Sequence, residues 1–195
     1  FSMSHSWWNE SIGGALMTCF VPGTKVRTEK GLENIENIKI GDKVFIYNQY
    51  KKVVNTIKTK QTSPIFEIQS LGAGVNLKCT ENHHIPILRR HSYKGGHKKP
   101  WASKNYTIME IQAKDIQKGD YLFYEIEDNI RYYHNFYNFK CKMRFFNNAF
   151  LVPVTNIEQI DTKYDFVFDL TIEDLHYYTA EGIRVHNSEG PRRLF

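Results

Sequence analysis

Near its end the chain reads "VHNS", Val185 to Ser188, which sets an imidazole, a carboxamide and a hydroxyl side by side. An imidazole moves protons near neutral pH, and a hydroxyl becomes a nucleophile once a base assists it. Taken alone, an Asn followed by a small residue is a turn, and a four-residue motif supports no more than that. A second group lies far upstream in "LKCTENHHI", Leu77 to Ile85, where Thr80, His83 and His84 follow Cys79. Cys79 with the two histidines could be offered as a zinc cluster, but no second pair at ligand spacing accompanies them. Cys79 reads better as a small apolar residue in a strand. Neither metal nor cofactor is expected.

The elements that must position these residues read as strands. Short runs rich in Val, Ile, Phe and Tyr recur between Gly, Asp, Asn and Lys turns: "TKVRT", "DKVFIYN", "VVNTIKTK", "IFEIQS", "NLKCT", "DYLFYEIED", "FVFDLTI", "HYYTA" and "IRVHN". No long 3.6-residue apolar period runs between Cys19 and Asn187, so the expected class is all-β. The aromatic stretch Arg131 to Phe150 stands apart. It is expected to form an irregular or partly helical insertion around 125–150, or an aromatic surface facing a partner. One internal echo appears. "IENIKIGDKVFIY" resembles "AKDIQKGDYLFY", with Gly41-Asp42 matching Gly119-Asp120, as expected of two related halves about a pseudo-two-fold axis.

Composition narrows the classes. At 195 residues, 41% hydrophobic and 14% aromatic, the chain can bury a real core. No run approaches the roughly 18 apolar residues that span a bilayer, and no membrane role is expected. The start has no basic segment followed by an apolar block, so it does not read as a secretion signal. It opens on Phe1, as expected of a segment within something longer. The net charge of +5 is concentrated in the basic loop Arg89 to Lys104. Such a loop can touch nucleic acid but is more often a solvated surface. Three cysteines, Cys19, Cys79 and Cys141, make an odd number without metal-like spacing. That suits a reducing, cytoplasmic setting without a disulfide framework.

Four features occur in one order: "CFVPGTKVRTEKGLENIENIKIGDKV" from Cys19, "LKCTENHHI" with its Thr-x-x-His, "VFDLTIEDLHYYTAEGIRVHN", and Ser188 directly after Asn187. Together they resemble an intein, a self-excising element of the Hint (hedgehog/intein) fold, with a horseshoe-like pseudo-two-fold β architecture. The resemblance covers Cys19 to Asn187. It implies an N-extein segment at 1–18, a splicing domain at 19–187 and a C-extein segment at 188–195.

The resemblance also implies a role for each residue. Cys19 would attack the carbonyl of the Thr18–Cys19 bond, turning an amide into a thioester. His83 would protonate the departing nitrogen, with Thr80 fixing it. His84 is the rival for that role, but strand neighbours face opposite ways and register with Thr80 favours His83. Ser188 would then take over the acyl group, assisted by Asp169. Asn187 would cyclise to a succinimide and release the element, with His186 and His176 aiding the cleavage. Without the motif, Asp169 would read as a strand-end or turn residue. The β-branched Thr18 is expected to crowd the first scissile bond. Oxidation of Cys19, with Cys79 or Cys141 as partner, would arrest the chemistry.

The interval Leu88 to Tyr164 is too short for the homing endonuclease that many inteins carry. A mini-intein without endonuclease activity is therefore expected, with 125–150 as a vestige. The catalysis would be autocatalytic and single-turnover, in a monomer whose partners are its own flanks. Two alternatives stand beside this reading. A hedgehog-like self-cleaving domain shares the leading Cys and the Thr-x-x-His, but "VHNS" disfavours it. A basic, β-rich nucleic-acid-binding module would predict salt-dependent binding and no rearrangement of the backbone.

Overall fold

The two Gly-Asp stretches fold alike. The computed structural model describes residues 18–70, 74–90, 106–125, 144–146 and 149–187. In the first half β1 (Lys25–Thr28) and β2 (Gly31–Asn34) form a hairpin, and a single 3-10 turn follows at Ile35–Asn37. Next come β3 (Lys43–Ile46), the long β4 (Gln49–Thr59) and β5 (Ile65–Ser70). After β6 (Val75–Thr80) the order repeats: β7 (His84–Arg90), β8 (Tyr106–Gln112) and a 3-10 turn at Ala113–Asp115. Then β9 (Tyr121–Glu125) and the short β10 (Arg144–Phe146) precede the long β11 (Ala149–Ile160) and β12 (Val167–Ile172). The hairpin β13 (Tyr177–Ala180) and β14 (Ile183–His186) completes the described chain.

The echo is a repeated device for bending a long strand. Gly41 and Gly119 take φ of 97° and 94°, a region that favours glycine. Their N–H groups donate to the carbonyls of Val53 (2.8 Å) and Val154 (2.9 Å), and those valines donate back to Asp42 and Asp120, each at 2.8 Å. At these valines each long strand changes partner. β4 pairs β3 over 49–52 and β12 from Val53 onward, while β11 pairs β9 as far as Pro153 and β5 from Val154 onward.

The halves therefore exchange a strand. β5 follows β4 in the chain but pairs with β11, and β12 follows β11 but pairs with β4. Neither half can complete its sheet alone. The result is the all-β, pseudo-two-fold architecture expected from the sequence. Between the halves lies one core, in which Val26, Val44, Ile68, Leu77, Ile87, Leu122 and Val152 are buried. Ile87 and Leu122 face each other across β7 and β9, and each contributes roughly 1.5–3 kcal/mol by leaving water.

The insertion expected at 125–150 falls mostly outside the described residues. Its described part is β10 and the start of β11, paired as antiparallel strands, so this part is β and not helical. Most of the basic loop from Arg89 also lies outside them. β7 and β11 each carry a proline within the strand, Pro86 and Pro153, which hides them from pattern reading.

The two Gly-Asp turns differ in how their carboxylates are held. Asp120 is buried and receives a two-pronged bond from Arg89, Nε to Oδ1 at 2.8 Å and Nη2 to Oδ2 at 2.7 Å. Asp42 pairs only with the exposed Lys30 at 3.1 Å. Both carboxylates also accept a backbone N–H, from Lys39 and Gln117. We expect Asp120→Ala to lower the unfolding free energy by about 2–3 kcal/mol and Asp42→Ala by about 1 kcal/mol. Urea denaturation of the two variants checks this, and equal losses would refute the asymmetry.

Candidate active site

Cys19 and Phe20 enter the fold as a short piece of β structure between β12 and β6, the two ends of the strand order. Phe20 exchanges both backbone bonds with Phe168, at 2.7 and 2.8 Å, and Val21 N–H donates to Lys78 at 3.3 Å. Thr80 grips the preceding residue twice. Its N–H donates to the Cys19 carbonyl at 2.9 Å, and its Oγ1 accepts the Cys19 N–H at 3.0 Å. The amide nitrogen that follows Thr18 is thereby fixed.

The Cys19 side chain is fully buried against Val21, Ile65 and Val167. Burial, and then the negative charge of nearby Asp169, pushes its thiol far above the usual range. Cys19 is thus a protonated thiol at rest, and any attack it makes must be accompanied by proton removal. Cys79 sits opposite Phe20 in the bridge and belongs to the larger core, while Thr80 is the residue opposite Cys19. Both Cys19 and Cys79 are buried free thiols in this structure. Cys141 lies outside the described residues.

The Thr-x-x-His spacing is that of a tight turn. His83 N–H donates to the Thr80 carbonyl at 3.0 Å, so the two residues are the ends of one turn. The expectation that both histidines sit in a strand is corrected: β7 begins only at His84. The two side chains nonetheless lie in different environments. His83 is fully buried, and the His84 side chain is 45% exposed. The His83 ring lies 4.1 Å from the Phe20 ring, centroid to centroid. Neither ring nitrogen makes a well-formed hydrogen bond.

Burial, with the charges of His186 and His84, lowers the His83 pKa to about 3, although the backbone carbonyls of His186 and Thr18 favour its protonated form. His83 is therefore a neutral imidazole placed between the carbonyl preceding Cys19 and the one preceding Asn187.

Asp169, on β12, is fully buried. Its Oδ1 accepts the N–H of Leu170 at 2.8 Å and the hydroxyl of Tyr178 at 2.6 Å. On the other side, Asn187 follows β14 directly and is also buried. Its backbone N–H donates to His176 at 2.7 Å and its Nδ2 to the Leu175 carbonyl at 2.9 Å, while Oδ1 has no hydrogen-bond partner. The rings of His176 and His186 stack 5.9 Å apart with 5° between their planes. Of the residues singled out in the sequence, Cys19, Thr80, His83 and Asp169 form one group, and His176, His186 and Asn187 another. His83 joins them. Ser188 lies outside the described residues.

Two neighbours of the site had no role among the residues singled out in the sequence. Tyr178 is wholly buried, and a tyrosine on a buried strand face needs a partner for its hydroxyl, which is the signal that could have found it. Glu110 gave no signal. On β8 it accepts from the Tyr177 hydroxyl at 2.9 Å and lies 3.6 Å from His186 Nε2 and 3.8 Å from His84 Nδ1. Among the described residues no cluster of His, Cys, Asp and Glu could hold a metal ion, and no helix is long and apolar enough to cross a membrane.

This architecture has solved counterparts. A DnaB intein from Synechocystis sp. PCC 6803 superimposes with a TM-score of 0.57 at 14% identity, over 89% of this chain and 100% of that one. A bacterial intein-like domain from Clostridium thermocellum gives 0.57 at 23%, over 88% and 99%. The DnaX mini intein from Spirulina platensis gives 0.56 at 18%, over 88% and 100%. The chain has the intein (Hint) fold.

Sequence relatives are more distant in length. A DNA polymerase of Methanocaldococcus jannaschii is 35% identical over 100 residues, 50% of this chain and 5% of that protein. Warthog protein 6 of Caenorhabditis elegans is 32% identical over 84 residues, 40% of this chain and 14% of that protein. The chain thus spans a small part of the curated relatives it matches. No family model matches it.

The buried neutral His83 makes stability depend on pH. Between its ordinary value of 6.5 and its folded value of about 3, the unfolded chain binds a proton that the folded one refuses. Its contribution is therefore complete above pH 6.5 and is lost on acidification, at up to about 1.4 kcal/mol per pH unit. With Cys19→Ala and Asn187→Ala as the background, adding His83→Gln should flatten the fall in urea midpoint between pH 6.5 and 4. Parallel curves would show that His83 is not held neutral.

Proposed function

We propose that this chain is a mini-intein that excises residues 19–187 and joins Thr18 to Ser188. The observation that carries this reading is His83. It is buried and neutral, and it stands between the carbonyls of Thr18 and His186 in a fold otherwise seen in inteins. The Thr18 carbonyl is that of the upstream scissile bond, and the His186 carbonyl lies one peptide group before the downstream one.

The steps follow from the chemistry of the groups. Cys19 Sγ adds to the Thr18 carbonyl and the C–N bond breaks, so the proton leaving the thiol balances the one gained by the amine. His83 delivers that proton, while Thr80 holds the nitrogen in place. The Ser188 hydroxyl then attacks the thioester, with Asp169 taking its proton and the Cys19 thiolate leaving. Asn187 Nδ2 closes on its own carbonyl, and His186 and His176 protonate the leaving amine of Ser188. The resulting ester rearranges to a peptide bond. This is a single turnover on its own flanks, in a monomer and in a reducing compartment. No cofactor, nucleic acid, membrane or endonuclease activity enters it.

A self-cleaving, hedgehog-like domain is the second reading, and the similarity to Warthog protein 6 is what favours it. Intact mass of the chain with longer tags separates the two. Splicing predicts loss of Cys19–Asn187 together with a joined Thr18–Ser188 peptide, whereas self-cleavage predicts upstream release with no ligated product. Cys19→Ala should reduce upstream cleavage at least about 100-fold while leaving downstream cleavage measurable, and Asn187→Ala should do the reverse. An intact mass that persists for days in reducing buffer would defeat both readings.

A further inference from the structure

Among the described residues Tyr178 is the one fully buried hydroxyl-bearing aromatic at the site, and it belongs to neither scissile junction. It sits on β13, in the hairpin that delivers His186 and Asn187, yet its hydroxyl reaches Asp169 on β12 at 2.6 Å. Its ring meets Phe20, the residue after the nucleophile, edge-on at 6.1 Å. Burial first, then the charge of Asp169 and its hydrogen bond, holds the phenol far above its ordinary value, so Tyr178 stays a proton donor. The groups that act on it are Asp169, Cys19 and Cys79. The same carboxylate opposes ionisation of Cys19.

We infer that Tyr178 is a positioning residue that keeps Asp169 an ionised, correctly turned carboxylate, and so favours transfer of the acyl group to Ser188 at the expense of thioester formation at Cys19. The inference rests on the splicing reading. In the transfer step the Ser188 oxygen bonds to the thioester carbon and the C–S bond breaks. The hydroxyl proton passes to Asp169, and from there to the departing Cys19 sulfur. Only an ionised Asp169 can accept that proton, and a hydrogen bond from Tyr178 favours the ionised form. Without the hydroxyl, Asp169 holds its proton more often. It then accepts less readily from Ser188, and it opposes the Cys19 thiolate less.

The two steps should therefore move in opposite directions. In an Asn187→Ala background, thiol-induced release of the upstream segment reads thioester formation, and accumulation of the branched species reads transfer. Tyr178→Phe keeps the ring and removes only the oxygen. We expect branched-species formation to fall about tenfold and thiol-induced release to rise severalfold. A tyrosine that only fills space would slow both steps together, and that outcome, or a thiol release that stays level or falls, overturns the inference.

If the Asn187→Ala parent forms neither species, the splicing reading fails and this inference goes with it. If Tyr178→Phe does not fold, NMR of the folded parent decides. A slowly exchanging Tyr178 hydroxyl proton whose resonance moves in Asp169→Asn supports the assignment, and a rapidly exchanging one overturns it.

Discussion

The site depends on a few backbone hydrogen bonds that seat Cys19 and Phe20 between β12 and β6. Phe168 and Thr80 hold the two peptide groups, and Val21 adds a bond to Lys78. Each bond is a modest net contribution of about 1 kcal/mol, yet leaving such buried groups unpaired would cost more. The segment therefore has one place to lie. That place exists only where β12 and β6 come together, and they do so only because the halves exchange β5 and β12. A partly folded chain has no assembled site, so the proposed chemistry would depend on completion of the fold.

Desolvation then sets the resting state of the candidate catalytic groups. Cys19 and His83 are both fully buried, and both are driven towards their neutral forms, the thiol by burial and by Asp169, the imidazole by burial and by its neighbouring histidines. Asp169 can stay in the interior because donors from Leu170 and Tyr178 stand at its oxygen. A contrasting arrangement lies close by. Arg184, two residues before His186, is paired with the buried Glu125 and flanked by the rings of Tyr47 and Phe123. That pair anchors β14, although Glu125 Oε2 has no hydrogen-bond partner. At the junctions Asn187 Oδ1 has none either, and the His83 nitrogens make no well-formed hydrogen bond. Free energy given up at those atoms is offset by the core and the strand pairing around them.

Two turns carry much of the architecture. The Gly-Asp turns use a positive φ that only glycine adopts cheaply, and their aspartates tie the turn to its own preceding residues. They insert at Val53 and Val154, where a strand must leave one partner and take another. The Thr80–His83 turn does something similar for chemistry. By reversing the chain directly after β6, it leaves Thr80 against Cys19 and swings His83 inward, while His84 starts β7 towards solvent.

The sequence alone determined what local physics can encode. Alternating apolar residues gave most of the strands, the Gly-Asp echo announced the repeated half, and the four ordered blocks pointed to Cys19, Thr80, His83, Asp169, His176, His186 and Asn187. Each is a matter of side-chain period, turn chemistry or spacing along a few residues. Partner choice is not. The pattern of β5 or β12 reads the same whether the strand pairs within its own half or with the other, and Pro86 and Pro153 blur two more strands. Tyr178 and Glu110 lie on ordinary strands and acquire meaning only from residues on other strands, Asp169 for one and His84 and His186 for the other. Even the inward turn of His83 was inferred from strand alternation and is in fact produced by a turn. What the tertiary structure alone decided is which long-range contacts close. A hydrogen bond or a buried charge acts over a few ångströms in space, and sequence distance says nothing of that.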